Sequence, residues 1–123
     1  MIKKLVPSDR KIRIAIVGCG RISKKHFDAI DAHADELELV SVCDADSSVL
    51  AAHDEKYNVP IYLQLNEMIE NEELDLVVLC TPSGLHARQA ELAAKHGINV
   101  ITEKPMATNW QDGLRMVKAC DDA

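Results

Sequence analysis

The stretch IRIAIVGCGRISKKH, Ile12–His26, decides the fold. An apolar run, Ile12–Val17, meets Gly18-Cys19-Gly20 and gives way to charged residues among which Ile22, Phe27 and Ile30 recur at helical spacing. The pattern reads as strand, tight turn, helix. Such a junction is either a bare turn or a loop that grips a phosphate. In the second case Gly18 permits the sharp turn, and Gly20 lets a pyrophosphate approach the backbone with no Cβ in the way. Arg21 to Ser23 then open a helix whose free N–H groups and dipole favour an anion. Ser23 stands where a G-x-G-x-x-G motif has its third glycine, a helix-packing position that a small serine nearly serves.

Outward from this stretch, strand-like runs alternate with helical ones. Leu37–Cys43 and the almost wholly apolar Leu74–Cys80 read as strands buried on both faces, Ile98–Ile101 as another, and PIYLQL from Pro60 as a weak edge strand. Helices are expected over Ile22–His33, over Ser47–Tyr57 with a capping serine, over the run that Asn66 can cap, over Leu85–His96 ending on Gly97, and over Trp110–Cys120 capped by Thr108 or Asn109. This alternation predicts an α/β fold, a doubly wound parallel sheet of the Rossmann dinucleotide-binding kind. Met1 to Arg10 read as a lead-in and residues 11–123 as one domain.

Composition agrees with this class. One Trp, two Tyr and one Phe leave the core to Val, Ile, Leu and Ala. A net charge of −6 argues against a nucleic-acid partner. No apolar run approaches the roughly 20 residues of a membrane span, so no membrane partner is expected. Cys19, Cys43, Cys80 and Cys120 form no C-x-x-C pair, which disfavours a zinc ribbon or redox motif. Three of them end apolar runs, where small core residues fit, so no metal is expected. Reduced thiols and the absence of a leader-like segment point to the cytoplasm.

Three further features carry chemistry. Asp44 ends the second strand at about the 20-residue distance from Gly20 at which an acid bonds the adenosine ribose; it also disfavours a 2′-phosphate, hence NAD over NADP. Its alternative is to close the Asp46–Ser47 turn. Thr81, Pro82, Ser83 and Gly84 form a hydroxyl-bearing loop at the end of the most apolar strand, followed by His86, which alone reads as an early-helix residue bonding a carbonyl. Glu103 and Lys104 follow the strand Ile98–Ile101 and precede Pro105. Alone they read as a surface ion pair; beside a bound nicotinamide the lysine suits proton transfer.

Together, GCGRISKKH, VCDAD and TPSGLHARQAELAAKHGINVITEKPMA resemble the nucleotide-binding half of the Gfo/Idh/MocA oxidoreductase family over about Lys11 to Cys120. The resemblance implies that Gly18, Gly20, Arg21 and Ile22 hold the pyrophosphate of NAD and Asp44 the adenosine ribose. It implies that Thr81, Pro82, Ser83 and His86 lie along the nicotinamide side, Glu103 with Pro105 at the nicotinamide ribose, and Lys104 against cofactor and substrate hydroxyl. His26 matches a family position but is expected to be structural, being on a helix. Within the family, GCGRIS, HFDAI and EKPMATNWQDGLRMVKACD are similar to bacterial sugar-nucleotide dehydrogenases, which implies oxidation at C3 of UDP-N-acetylglucosaminuronate for surface polysaccharides. Other family substrates, myo-inositol or a free hexose, and a non-catalytic dinucleotide-binding module are the alternatives. An epimerase is disfavoured, since neither Tyr57 nor Tyr62 has a lysine four residues on. The resemblance further implies a substrate-holding, oligomer-forming second domain and another strand after the last helix, neither in these residues. The expectation is a piece that binds NAD weakly, does not turn over, and self-associates through a bare sheet edge.

Overall fold

The computed structural model describes residue 7 and residues 9–123, apart from the side chains of residues 53–55. Most of the lead-in read over residues 1–10 therefore lies outside the described residues.

Five parallel strands form one sheet in the order β3-β2-β1-β4-β5: β1 Ile12–Val17, β2 Leu37–Cys43, β3 Ile61–Tyr62, β4 Leu76–Leu79 and β5 Asn99–Thr102. The helices between them are α1 Lys24–Ala32, α2 Ser47–Tyr57, α3 Leu65–Asn71, α4 His86–Lys95 and α5 Trp110–Asp122. The sheet's period of two sorts the core. Ile14 and Ile16 of β1 and Val78 of β4 face Phe27, Ile30 and Leu50 of α1 and α2. Ala15, Val17, Val77 and Leu79 face Met68, Ala87, Ala90 and Met116 of α3, α4 and α5. Side chains alternate between two covered faces, so the central strands read as unbroken apolar runs. Cys19, Cys43 and Cys80 are buried, and burial foremost pushes their thiols up to about 12, 11 and 11.

Several boundaries differ from the sequence reading. The expected edge strand PIYLQL shrinks to β3, two residues paired with Val42 and Cys43. The run Leu74–Cys80 forms a ladder only over Leu76–Leu79, because Asp75 turns its carboxylate to Arg10 and to the Arg13 amide at 2.7 and 2.8 Å. Asp46, not Ser47, caps α2: its carboxylate accepts from the Ser48 amide and hydroxyl. Asn66 does not cap α3, which starts one residue earlier on buried Leu65. Helices expected from Ile22 and Leu85 each open on a single 3₁₀ turn, Arg21–Ser23 and Ser83–Leu85. Asn109 caps α5 by accepting from the Asp112 amide at 2.9 Å, and the helix runs on to Asp122. Gly97 ends α4 at φ +70°, the left-handed geometry read from its position.

The sheet edge at β5 and the outer face of α5 leave Ile101, Trp110, Leu114 and Val117 exposed. No helix among the described residues is long and apolar enough to cross a membrane.

Ser41 of β2 is fully buried, and its hydroxyl has no hydrogen-bond partner among the described residues. Replacing a buried unpaired hydroxyl by a hydrogen removes a desolvation cost of about 1 kcal/mol. Ser41→Ala is expected to raise the urea midpoint with an unchanged slope; a lower midpoint means that the hydroxyl is satisfied in solution.

Candidate functional site

At the carboxyl ends of β1, β2 and β4 the backbone is laced together. The Gly18 amide donates to the Cys43 carbonyl and the Cys80 amide to the Val17 carbonyl, both at 2.7 Å. Gly18 sits at φ +89°, and a Cβ there would lie 2.7 Å from the Cys80 carbonyl carbon. The fold itself therefore requires this glycine. Gly20 differs. A Cβ on Gly20 would meet nothing within 4 Å, and its φ of −76° is open to any residue. No protein neighbour excludes a side chain there, so the space in front of it is free for something else. Ser23 is fully buried, with its hydroxyl donating to the Gly20 carbonyl at 2.6 Å, which closes the turn into α1. Arg21 and Ile22 remain exposed beside it.

Asp44 performs the turn-closing role that was its alternative and leaves room for the other. One carboxylate oxygen accepts from the Cys19 amide and the other from the Asp46 amide, each at 2.8 Å. The side chain thus holds the glycine loop and the β2–α2 turn in one register. It stays half-buried, and each oxygen keeps a lone pair for a hydroxyl donor.

Between these loops lies a crevice of about 770 Å³, within the range of small-molecule sites. Gly18, Gly20, Asp44, Thr81 and Pro82 line it. It opens where the chain order reverses, since β1 is followed on one side by β2 and on the other by β4. That is the place where open parallel sheets bind ligands. The Thr81 hydroxyl donates to Gln89, and half-buried Ser83 begins the 3₁₀ turn.

His86 takes the carbonyl-bonding role that was its alternative. It is 1 % exposed, and its two ring nitrogens lie 3.1 and 2.8 Å from the carbonyl oxygens of Pro105 and Thr81. Both nitrogens face backbone, so neither can reach a molecule in the crevice; His86 staples the loop after β5 to the loop after β4. The reading of His86 as an early-helix residue bonding a carbonyl is the one the structure shows.

Past Thr102, Glu103 keeps pairing with β4, its amide donating to the Leu79 carbonyl. Its carboxylate meets His26 Nε2 at 2.5 Å and Lys25 Nζ at 3.0 Å. The His26 hydrogen bond first, and the Lys25 bond next, lower its pKa from the ordinary 4.5. His26, read as a structural helix residue, joins α1 to the loop after β5. The available signal was position, since the first turn of a helix that follows a strand-end loop must lie at that strand end. Lys104 is exposed. The all-parallel sheet puts it on the same edge as Gly20, outside the crevice lining.

Comparison with known proteins adds the following. The family model described as an oxidoreductase family with an NAD-binding Rossmann fold matches residues 12–123. The WlbA dehydrogenase of Chromobacterium violaceum, solved in complex with NADH and UDP-GlcNAcA, is 48 % identical with a TM-score of 0.94 over 99 % of this chain and 35 % of its own. The WlbA dehydrogenase of Bordetella pertussis, solved with the same two molecules, is 49 % identical with a TM-score of 0.92, over 94 % of this chain and 35 % of its own. D-apiose dehydrogenase of Paraburkholderia graminis is 35 % identical over 93 % of this chain and 30 % of its own length. The chain thus spans about a third of the length of these relatives.

The two glycines are expected to separate in experiment. Gly18→Ala forces both strain and a backbone clash and should cost about 3 kcal/mol of stability. Gly20→Ala should leave the thermal midpoint within a degree or two while weakening NADH binding at least tenfold. Equal destabilisation by both changes would contradict the open space at Gly20. Acid titration tests the Glu103 contacts. A lowered folded pKa contributes stability that is present above the unfolded value near 4.5 and lost as pH falls through the folded value. Glu103→Gln should therefore show a shallower loss of stability below pH 4.5 than the unaltered protein.

Proposed function

The chain belongs to the Gfo/Idh/MocA oxidoreductase family, as its NAD-binding Rossmann domain, and from that premise we propose that the protein is an NAD-dependent dehydrogenase of a sugar-nucleotide hydroxyl carbon, C3 of UDP-N-acetylglucosaminuronate. The observation that carries the substrate half of this reading is near-50 % identity to two WlbA dehydrogenases solved with that sugar nucleotide. The cofactor half rests on Gly20, whose missing Cβ faces open space at a strand end.

The residues present fit the dinucleotide. Gly18 shapes the turn, its own amide and that of Cys19 being held by Cys43 and Asp44. The backbone amides of Gly20, Arg21 and Ile22 can receive the diphosphate, and Asp44, an acceptor only, suits two ribose hydroxyls and repels a 2′-phosphate. Thr81, Pro82 and Ser83 flank the nicotinamide half; Glu103, steadied by His26 and Lys25 with Pro105 behind it, takes the nicotinamide ribose. Lys104 orients the substrate hydroxyl and relays its proton. When bound, NAD supplies the hydride chemistry, and the protein supplies position and electrostatics. In this reading residues 11–123 are the cofactor domain. The substrate-holding, oligomer-forming domain belongs to the length that the relatives have beyond this match. The enzyme works in the cytoplasm on precursors of surface polysaccharide. The likeness to D-apiose dehydrogenase favours a second reading, a dehydrogenase of a free sugar.

Calorimetric titration with NADH and NADPH tests the cofactor choice. The protein should prefer NADH at least tenfold, about 1.4 kcal/mol, and Asp44→Ala should remove most of that preference while also loosening the Cys19 and Asp46 amides. Equal affinity for the two cofactors in the unaltered protein would remove the role given to Asp44. Assay of the full-length enzyme against UDP-sugars, free hexoses and inositol decides between the substrate readings.

A further inference from the structure

Beside the crevice, three side chains that the chain keeps far apart come together. His26 from the first turn of α1, Cys80 after β4 and Glu103 after β5 bring an imidazole nitrogen, a thiol sulfur and a carboxylate oxygen within 4.8 Å of one another. His26 and Glu103 are about a fifth exposed and Cys80 is 8 % exposed, so the cluster is partly shielded but reachable from solvent. We propose that His26, Cys80 and Glu103 bind one soft divalent cation of the zinc class, and that this ion and the nicotinamide half of the dinucleotide exclude each other.

The donor set is the first argument. One sulfur, one imidazole nitrogen and one carboxylate oxygen make a mixed set that suits zinc or cadmium and suits magnesium or calcium poorly. Spacing is the second. Donors on one tetrahedral zinc lie on the order of 3.5 Å apart, given bonds of about 2.0 to 2.3 Å. The longest separation must shorten by about 1 Å and the His26–Glu103 contact of 2.5 Å must open by about 1 Å, and side-chain rotations of His26 and Glu103 can supply both. The proton of the His26–Glu103 hydrogen bond leaves that pair, passing to His26 Nδ1 or to solvent, so that Nε2 and the carboxylate are both free for the metal. The Cys80 thiol, held up to about 11 by burial and then by the Glu103 charge, gives its proton to solvent as the sulfur takes the metal. Lys25, 60 % exposed, leaves Glu103 for solvent, so the cation replaces an ammonium at the same carboxylate. The fourth position would be water. Mutual exclusion rests on the reading under Proposed function, which gives Glu103 and the strand end at Cys80 to the nicotinamide side.

Cadmium is the probe, because a sulfur–cadmium bond gives a charge-transfer absorption in the near ultraviolet. In a phosphine-reduced sample the protein should bind one cadmium per chain with that absorption. Cys80→Ser should abolish the band and weaken binding about a hundredfold; His26→Gln, at a partly exposed position, should weaken it about tenfold without unfolding the chain. Cys120→Ser should change neither. Absence of binding below millimolar cadmium, or a band that survives Cys80→Ser, overturns the site. Zinc should raise the apparent Kd for NADH in proportion to its concentration, and the Cys80→Ser protein should lose that effect. NADH binding unaffected by saturating zinc overturns the exclusion. Failure of the metal-free protein to bind NADH at all counts against the proposed function and leaves the cadmium result standing.

Discussion

The site depends on one close approach. Gly18 passes the end of β4 so tightly that a single added carbon would lie 2.7 Å from the Cys80 backbone. That contact lets the Gly18 amide reach β2 while the Cys80 amide reaches β1, so three strand ends finish in one place. If β1 were pushed away by a side chain at this point, the loop after it could no longer face the loops after β2 and β4. The crevice would open out into separate turns. A steric limit on one residue thus sets the geometry of everything downstream.

Around that point the loops are tied by side chains, each reaching from one element to another. Asp44 binds the glycine loop to the β2–α2 turn. His86 binds the loop after β4 to the loop after β5. Glu103 binds the loop after β5 back to α1 through His26 and Lys25. The chain of contacts runs from one side of the crevice to the other. Such cross-ties fix the loops around the crevice relative to one another, as a binding site held by its supporting contacts requires. Of these tying side chains Asp44 also lines the crevice. Replacing Asp44 removes both a carboxylate that faces the crevice and a structural tie, so its effects need a stability control.

The two ends of the sheet contrast. At the amino ends of the strands the buried Asp75 carboxylate accepts from both Arg10 nitrogens and the Arg13 amide, and its carbonyl accepts from Asn99. These groups find their partners within the protein. At the carboxyl ends Gly20 faces open space and Asp44 keeps unused lone pairs. Unfilled capacity, rather than any one motif, separates the functional edge from the structural one.

Much of this was legible along the chain. The alternation of apolar runs with helical stretches foretold the parallel sheet, because strands covered on both faces have no polar side to show. The glycines, Asp44, the Thr81–Ser83 loop and Glu103-Lys104 were legible as residues at strand ends, because parallel strands place all their carboxyl ends on one edge. Local energetics also located the Asn109 cap and the Gly97 stop. Tertiary structure alone decided which way His86 and His26 turn. Both lie in first helical turns near strand ends, yet one is buried against two carbonyls and the other reaches a carboxylate 77 residues away in sequence. It also decided that the two glycines differ, since only packing shows that a Cβ meets backbone at Gly18 and open space at Gly20. Contacts between segments distant in sequence leave no periodicity or spacing in either segment, and so they can be seen only once the chain is folded.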